Sequence, residues 1–178
     1  MVDKELGKVE VLINDVSLFS KLCHGAVIHY YPVPYGTLYK ISEIEIIAVP
    51  FGCARENIFF LHHVLELCYH FFPQGYVDKN FFETLLFLIE SEGLVQNQHK
   101  LLFLFRIMIM VGGVSELKEQ DYAQVSMLAM CPLEELLNTV VSERECVIVR
   151  QIIFDCIARH PYVAGFKTLA FLTESGIL

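Results

Sequence analysis

The chain has no tryptophan, no C-x-x-C pair and few cations, with 13 Lys and Arg against 21 Asp and Glu in 178 residues. Each shortage narrows what the protein can do. Zinc sites in small folds take thiolates in close pairs, because one short loop sets two sulfurs on one ion. Cys23, Cys53, Cys68, Cys131, Cys146 and Cys156 are scattered singly, so buried free thiols and no metal are expected. The net charge is −8, made of −2 over residues 1–50 (four Lys, six Asp and Glu) and −6 beyond. That balance disfavours autonomous binding to phosphate chains, which rests on neutralising cations, but leaves room for a local basic patch.

No Gly-rich phosphate loop or nucleophile-elbow signature occurs. Neither a catalytic residue nor a cofactor is therefore expected. A membrane span needs about 20 apolar residues free of charge. The longest charge-free run, Leu22–Tyr39, contains His24, His29, Pro32, Pro34 and Gly36, and the more apolar segments are cut by Glu66, Glu83 and Arg106. No cationic start with a small-residue cleavage site is present, and a cytoplasmic protein without membrane contact is expected.

What the chain has in excess is apolar helix. Hydrophobic residues make up 54% of it and 14 are Phe. Ile58–His70, Phe81–Ile89 and Leu101–Met110 follow one another with short spacers and aliphatic or aromatic residues at helical spacing, the pattern of a helical core. Pro73-Gln74-Gly75 stops the first of these helices, predicted over about Ala54–Phe72. Asp78 caps the second, which runs to about Glu92 before Gly93. Asn97 caps the third, which ends at Gly112-Gly113. Shorter helices are predicted over Glu119–Met130 and Leu133–Val140. A long one follows from Ser142-Glu143-Arg144-Glu145 to His160, and Phe166–Thr173 adds one or two turns.

Residues 1–50 read differently. Lys8–Ile13, Ala26–Tyr31 and Leu38–Val49 alternate or are β-rich, with Pro32-Val33-Pro34-Tyr35-Gly36 as the turn between the last two. The fold class is α+β: a small, incomplete β domain over 1–52, then a helical bundle domain over 53–178.

The order of these phrases resembles the RecO family of bacterial recombination mediators. The likeness is carried by Leu38–Val49 with Pro50-Phe51, by Leu61–Cys68 with Phe71–Gly75, and by Asn80–Leu86 with Leu101–Arg106 and Gly112-Gly113. Val149–Ile153 with Phe166–Leu172 completes it, and together these cover roughly residues 25–175. The resemblance implies that the β region is OB-like and that the protein serves DNA repair and recombination after DNA damage. It implies binding to single-stranded DNA, to the acidic tail of single-stranded-DNA-binding protein and to a RecR-like partner. Two departures stand out. The family's five-stranded barrel takes about 80 residues and only about 50 precede the helices here, so either the chain starts inside that domain or strands have been lost. The two C-x-x-C pairs of many family members are absent, so zinc is not carried over.

Lys4, Lys8, Lys21 and Lys40 with Tyr30, Tyr31, Tyr35 and Tyr39 are the candidate single-strand surface, charge plus stacking platforms. The alternative is that these tyrosines cover the strand–helix junction. Arg150, Arg159 and Lys167, with Arg144 nearby, are the candidate receptor for the acidic tail. The alternative there is a face solvated or paired with Glu143, Glu145 and Asp155. His62, His63, Glu66, Cys68 and His70 are the nearest approach to a metal cluster, but their helical spacing puts no three on one ion. Half-buried helix histidines are expected instead. A helical protein-interaction module without DNA binding remains the competing overall reading.

Overall fold

The structure, a computed structural model, describes residues 1–14, 16–90, 94, 96–114, 119–161 and 163–178; the side chains at 16, 18, 51–57 and 119–122 lie outside the description. Its order is α+β, with strands first and helices after. Strands β1 (Val2–Asp3) and β2 (Gly7–Lys8) form an antiparallel ribbon. Strand β3 (Val11–Leu12) precedes the short helix α1 (Val16–Phe19), and β4 (Val27–Tyr35) and β5 (Leu38–Ala48) make a long hairpin. The three-stranded sheet has the order β3-β5-β4, with β3 parallel to β5 at Val11↔Tyr39 and Leu12↔Lys40.

Two local expectations are corrected here. The segment Lys8–Ile13 is not one strand: it is divided between the ribbon and β3. Gly7 turns the chain at φ 71°, and Lys8 pairs with Gln74 beside the α2 exit. The Pro32–Gly36 phrase is not the turn either. Strand β4 runs through both prolines, and the connection is Gly36-Thr37 between the paired Tyr35 and Leu38. Gly36 has φ 62°, as the first central residue of a type II′ hairpin turn requires.

The ladder tolerates the prolines for a readable reason. The amide of Tyr39 donates away from β4, to the carbonyl of Glu10 at 3.0 Å. Its partner Pro34, and Pro32 opposite Ile41, therefore occupy positions whose nitrogens face outward, where no ladder bond is lost.

The helices are α2 (Phe51–Phe71), α3 (Lys79–Glu90), α4 (Asn97–Met110), α5 (Glu119–Ala129), α6 (Leu133–Leu136), α7 (Glu143–Arg159) and α8 (Leu169–Glu174), with a 3-10 turn at Val163–Gly165. Helix α4 is the centre. Leu101, Leu102, Phe103, Leu104, Phe105, Ile107 and Met108 are all at most 1% exposed, as a helix apolar on every side demands. Burying each large side chain contributes about 1.5–3 kcal/mol. Helices α7, α5, α2 and α6 pack around it, and α3 lies on α2. The α2–α3 corner is closed by Phe72 stacked on Phe81, centroids 4.1 Å apart.

Asp78 caps α3 as expected, accepting from the amide of Phe81 at 3.1 Å. Ser142 and Glu145 form a reciprocal capping box on α7. Asn97 does not cap α4; its amide donates to the carbonyl of Ser175 at 3.0 Å, and Gln96 takes the cap position without a side-chain bond. Helix α6 stops at Leu136, short of the predicted Val140. The predicted α3 end at Glu92-Gly93 lies outside the described residues.

Candidate functional site

The β-hairpin carries the first candidate surface. In β4, Tyr31, Val33 and Tyr35 alternate and so share one face, and Lys40 of β5 sits directly across from Val33. The opposite face holds Ile41, which is buried and turned to the body of the protein. The outer face is therefore Tyr31 (66% exposed) and Tyr35 (64%) on either side of Lys40. The tyrosines are four positions apart on the strand, roughly 13 Å at the usual rise.

The sequence set divides around this face. Lys4 and Lys21 are exposed, and Tyr39 is half-buried. Tyr30 is used internally: its hydroxyl donates to the Asp3 carboxylate, and burial, then that bond, push its pKa up. Lys8 is used internally as well. Its ammonium donates to the carbonyls of Tyr69 and of Phe72 (3.1 Å for the latter) at the C-terminal end of α2, and it lies 5.0 Å over the Tyr69 ring. A cation is favoured there by the carbonyls left open at a helix end, and burial lowers its pKa. Neither residue presents its polar group as part of the tyrosine face.

The C-terminal cations also separate. Arg150 donates through Nε to the carbonyl of Ile177 and through Nη2 to that of Gly176, both at 3.2 Å, where pairing with Glu143, Glu145 or Asp155 was the alternative. Two of those carboxylates have other partners: Glu145 bonds Ser142 and Gln124, and Asp155 bonds Gln151. Arg159 and Lys167 are exposed. Arg159 lies at the end of α7, and Lys167 gives its backbone amide to Glu66 at 2.9 Å.

The histidines expected to be half-buried are unevenly so. His63 is fully buried, while His62 and His70 are half-buried. Among the described residues no three His, Cys, Asp or Glu side chains converge on one point. His63 Nδ1 instead meets the Thr168 hydroxyl, which itself donates to Glu66 Oε2 at 2.6 Å. One hydroxyl proton cannot serve both, so Nδ1 carries the proton and Nε2 is bare. That Nε2 is buried without a partner, and burial pushes the imidazole pKa down to about 4. Glu66 also accepts the amides of Lys167 and Thr168.

His63, Thr168 and Glu66 contain the residue types of a nucleophilic triad in the wrong order. In a working triad the imidazole lies between hydroxyl and carboxylate and withdraws the hydroxyl proton. Here the hydroxyl lies between them and gives its proton to the carboxylate. The arrangement pins α8 to α2 and does not activate Thr168. Sequence reading missed it because its members are about 100 positions apart; the local signal was Lys167-Thr168 ahead of the apolar run Leu169–Leu172.

The thiols are less uniform than expected. Cys68 is buried and its pKa is pushed up to about 12 by burial. Cys131, Cys146 and Cys156 are half-buried, whereas Cys23 is exposed; the side chain of Cys53 lies outside the described residues. No helix among the described residues is long and apolar enough to cross a membrane.

No family model, no curated protein and no solved structure matches the chain.

Proposed function

We propose that the protein is a non-enzymatic, RecO-like mediator of DNA repair and recombination that holds single-stranded DNA on the outer face of the β4–β5 hairpin. The observation that supports this reading is the pair of exposed tyrosines, Tyr31 and Tyr35, flanking Lys40 on one strand face. Stacking is indifferent to base identity and contributes about 1–3 kcal/mol per base, while one lysine supplies a phosphate contact. The α+β order of the fold and the RecO-like sequence phrases agree with it. Arg159 and Lys167 are the cations proposed for the acidic tail of single-stranded-DNA-binding protein. A RecR-like partner completes the assignment.

The test is fluorescence anisotropy of a labelled oligothymidylate titrated with the protein at low and moderate salt. Binding that weakens as salt rises, and falls about tenfold or more in the Tyr31→Ala/Tyr35→Ala double variant, supports the reading. Absence of binding at low salt by a folded protein overturns it.

A second reading, a protein-interaction module without DNA binding, is favoured by a specific observation. Lys8, Tyr30 and Arg150 are engaged by the protein's own groups, and the net charge is −8.

A further inference from the structure

The two exposed tyrosines of the hairpin face have different neighbours. Along β4, His29 and Val33 alternate with Tyr31 and share its face. Their partners across on β5 are Glu45 opposite His29, Ser42 opposite Tyr31 and Lys40 opposite Val33. Ser42 therefore faces Tyr31 directly, and Lys40 and Glu45 stand on its two diagonals, about 7–8 Å away and within reach of long side chains and rings. Tyr31, Lys40, Ser42 and Glu45 are all exposed. Among the described residues no hydrogen bond or ion pair engages the Glu45 carboxylate. Tyr35 has Leu38 across from it and Lys40 on a diagonal, with no carboxylate at either place.

The opposite charges on the two diagonals decide how a single strand can lie over Tyr31. A phosphate is drawn to Lys40 and repelled by Glu45. An ionised carboxylate only accepts hydrogen bonds, so what it can take from a nucleic acid is an N–H on a base edge. Single strands leave their Watson–Crick edges free for such contacts. Guanine offers two adjacent donors there, the ring N1–H and the 2-amino group, which match the two oxygens of one carboxylate. Thymine offers one N–H between two carbonyls that repel it, and adenine and cytosine offer an amino group beside a bare ring nitrogen. Paired N–H donors on a carboxylate form the stronger, charge-assisted kind of bond. We propose that Glu45 makes the Tyr31 platform selective for guanine. The purine stacks on Tyr31, donates from N1 and the 2-amino group to Glu45, and leaves its phosphate at Lys40. The inference rests on the single-strand reading of this face and adds a base preference that stacking alone does not supply. Tyr35, without a carboxylate beside it, stays indifferent to the base.

The experiment titrates the full chain, at low salt, into three fluorescein-labelled octanucleotides and follows their anisotropy. One is all thymine, one carries a single central guanine, and one carries a single central hypoxanthine, which stacks like guanine but lacks the 2-amino group. The guanine probe is expected to bind at least about fivefold tighter than the other two, and the three to come within about twofold of one another in Glu45→Ala. Equal affinity of the wild type for all three overturns the guanine assignment and leaves the single-strand reading standing. No binding of any probe by the folded protein overturns both. A guanine preference that survives in Glu45→Ala places the selectivity elsewhere and overturns the role of Glu45.

Discussion

Glu66 and Thr168, 102 positions apart, are joined twice: the carboxylate accepts the threonine amide at 3.0 Å and its hydroxyl at 2.6 Å. A carboxylate from α2 thus does for α8 what a capping side chain ordinarily does from within its own helix, and α8 has no side-chain cap of its own. Negative charge at a helix N-terminus is favoured by the unpaired amides and the dipole.

Removing that carboxylate should loosen the C-terminal helix. Glu66→Ala is expected to cost about 1–2 kcal/mol, the usual range for a lost cap, and Glu66→Gln about half as much. Burial raises the Glu66 pKa, but the Lys167 amide, the Thr168 hydroxyl and amide, and His63 together lower it further, and the net shift is downward. A depressed carboxylate stabilises above its ordinary pKa of 4.5 and loses that contribution as pH falls through the folded value. The stability gap between wild type and Glu66→Gln, followed by urea unfolding, should therefore shrink as pH is taken below that value.

His63 contributes its own pH dependence. Its folded pKa, about 4, lies below the ordinary 6.5, so between those values the unfolded chain binds the extra proton. Stability is whole above pH 6.5 and declines as pH falls toward 4, by an order of about 3 kcal/mol across the window. Urea midpoints at several pH values should show that slope in the wild type and a flatter one in His63→Gln. Equal slopes would mean that His63 is not the titrating group.

Two backbone positions have opposite signs. At Gly7, φ is 71° and an added Cβ would lie 2.0 Å from the carbonyl oxygen of Tyr76. Gly7→Ala is expected to destabilise by about 2 kcal/mol or more, from left-handed strain plus the displaced α2–α3 loop. Glu43, at φ 54° in the bulge opposite Tyr30, bears the same strain with a side chain in place. Glu43→Gly should stabilise by about 0.5–1 kcal/mol, since strain relief exceeds the added entropy of the unfolded chain. Thermal melts of the two variants should move in opposite directions.

Arg106 interrupts the most deeply buried helix for a structural reason. Its Nη1 donates to the carbonyls of Ala129 at 3.1 Å and Cys131 at 2.6 Å, closing the end of α5. Arg106→Met should cost about 2–4 kcal/mol through the carbonyls left unpaired, and Arg106→Lys less. Hydrogen exchange should quicken at Met130, whose amide closes on Ser126, before it does in α4.

Helical periodicity made the helices legible, and glycine, proline and capping residues placed most of their ends. Asp78 caps where it was expected because a cap is a contact over three residues. Asn97 failed as a cap because a distant carbonyl, that of Ser175, offered its amide a better use. The hairpin turn was misplaced because proline was read as a breaker. On an outward-facing position of an edge strand it breaks nothing.

The candidate site was legible only as an inventory. Lys8 and Tyr31 looked alike in sequence as members of one set, yet the fold spends Lys8 on the carbonyls of α2 and leaves Tyr31 to solvent. Arg150 and Lys167 are divided in the same way.

The sequence alone determined the α+β order, the apolar helices of the core and the scarcity of cations, because composition and periodicity are local properties of a chain. Tertiary structure decided that Glu66 caps α8, that Arg106 closes α5, and which tyrosines remain open. Those outcomes depend on groups tens of residues apart competing for the same hydrogen bonds, and only packing settles that competition.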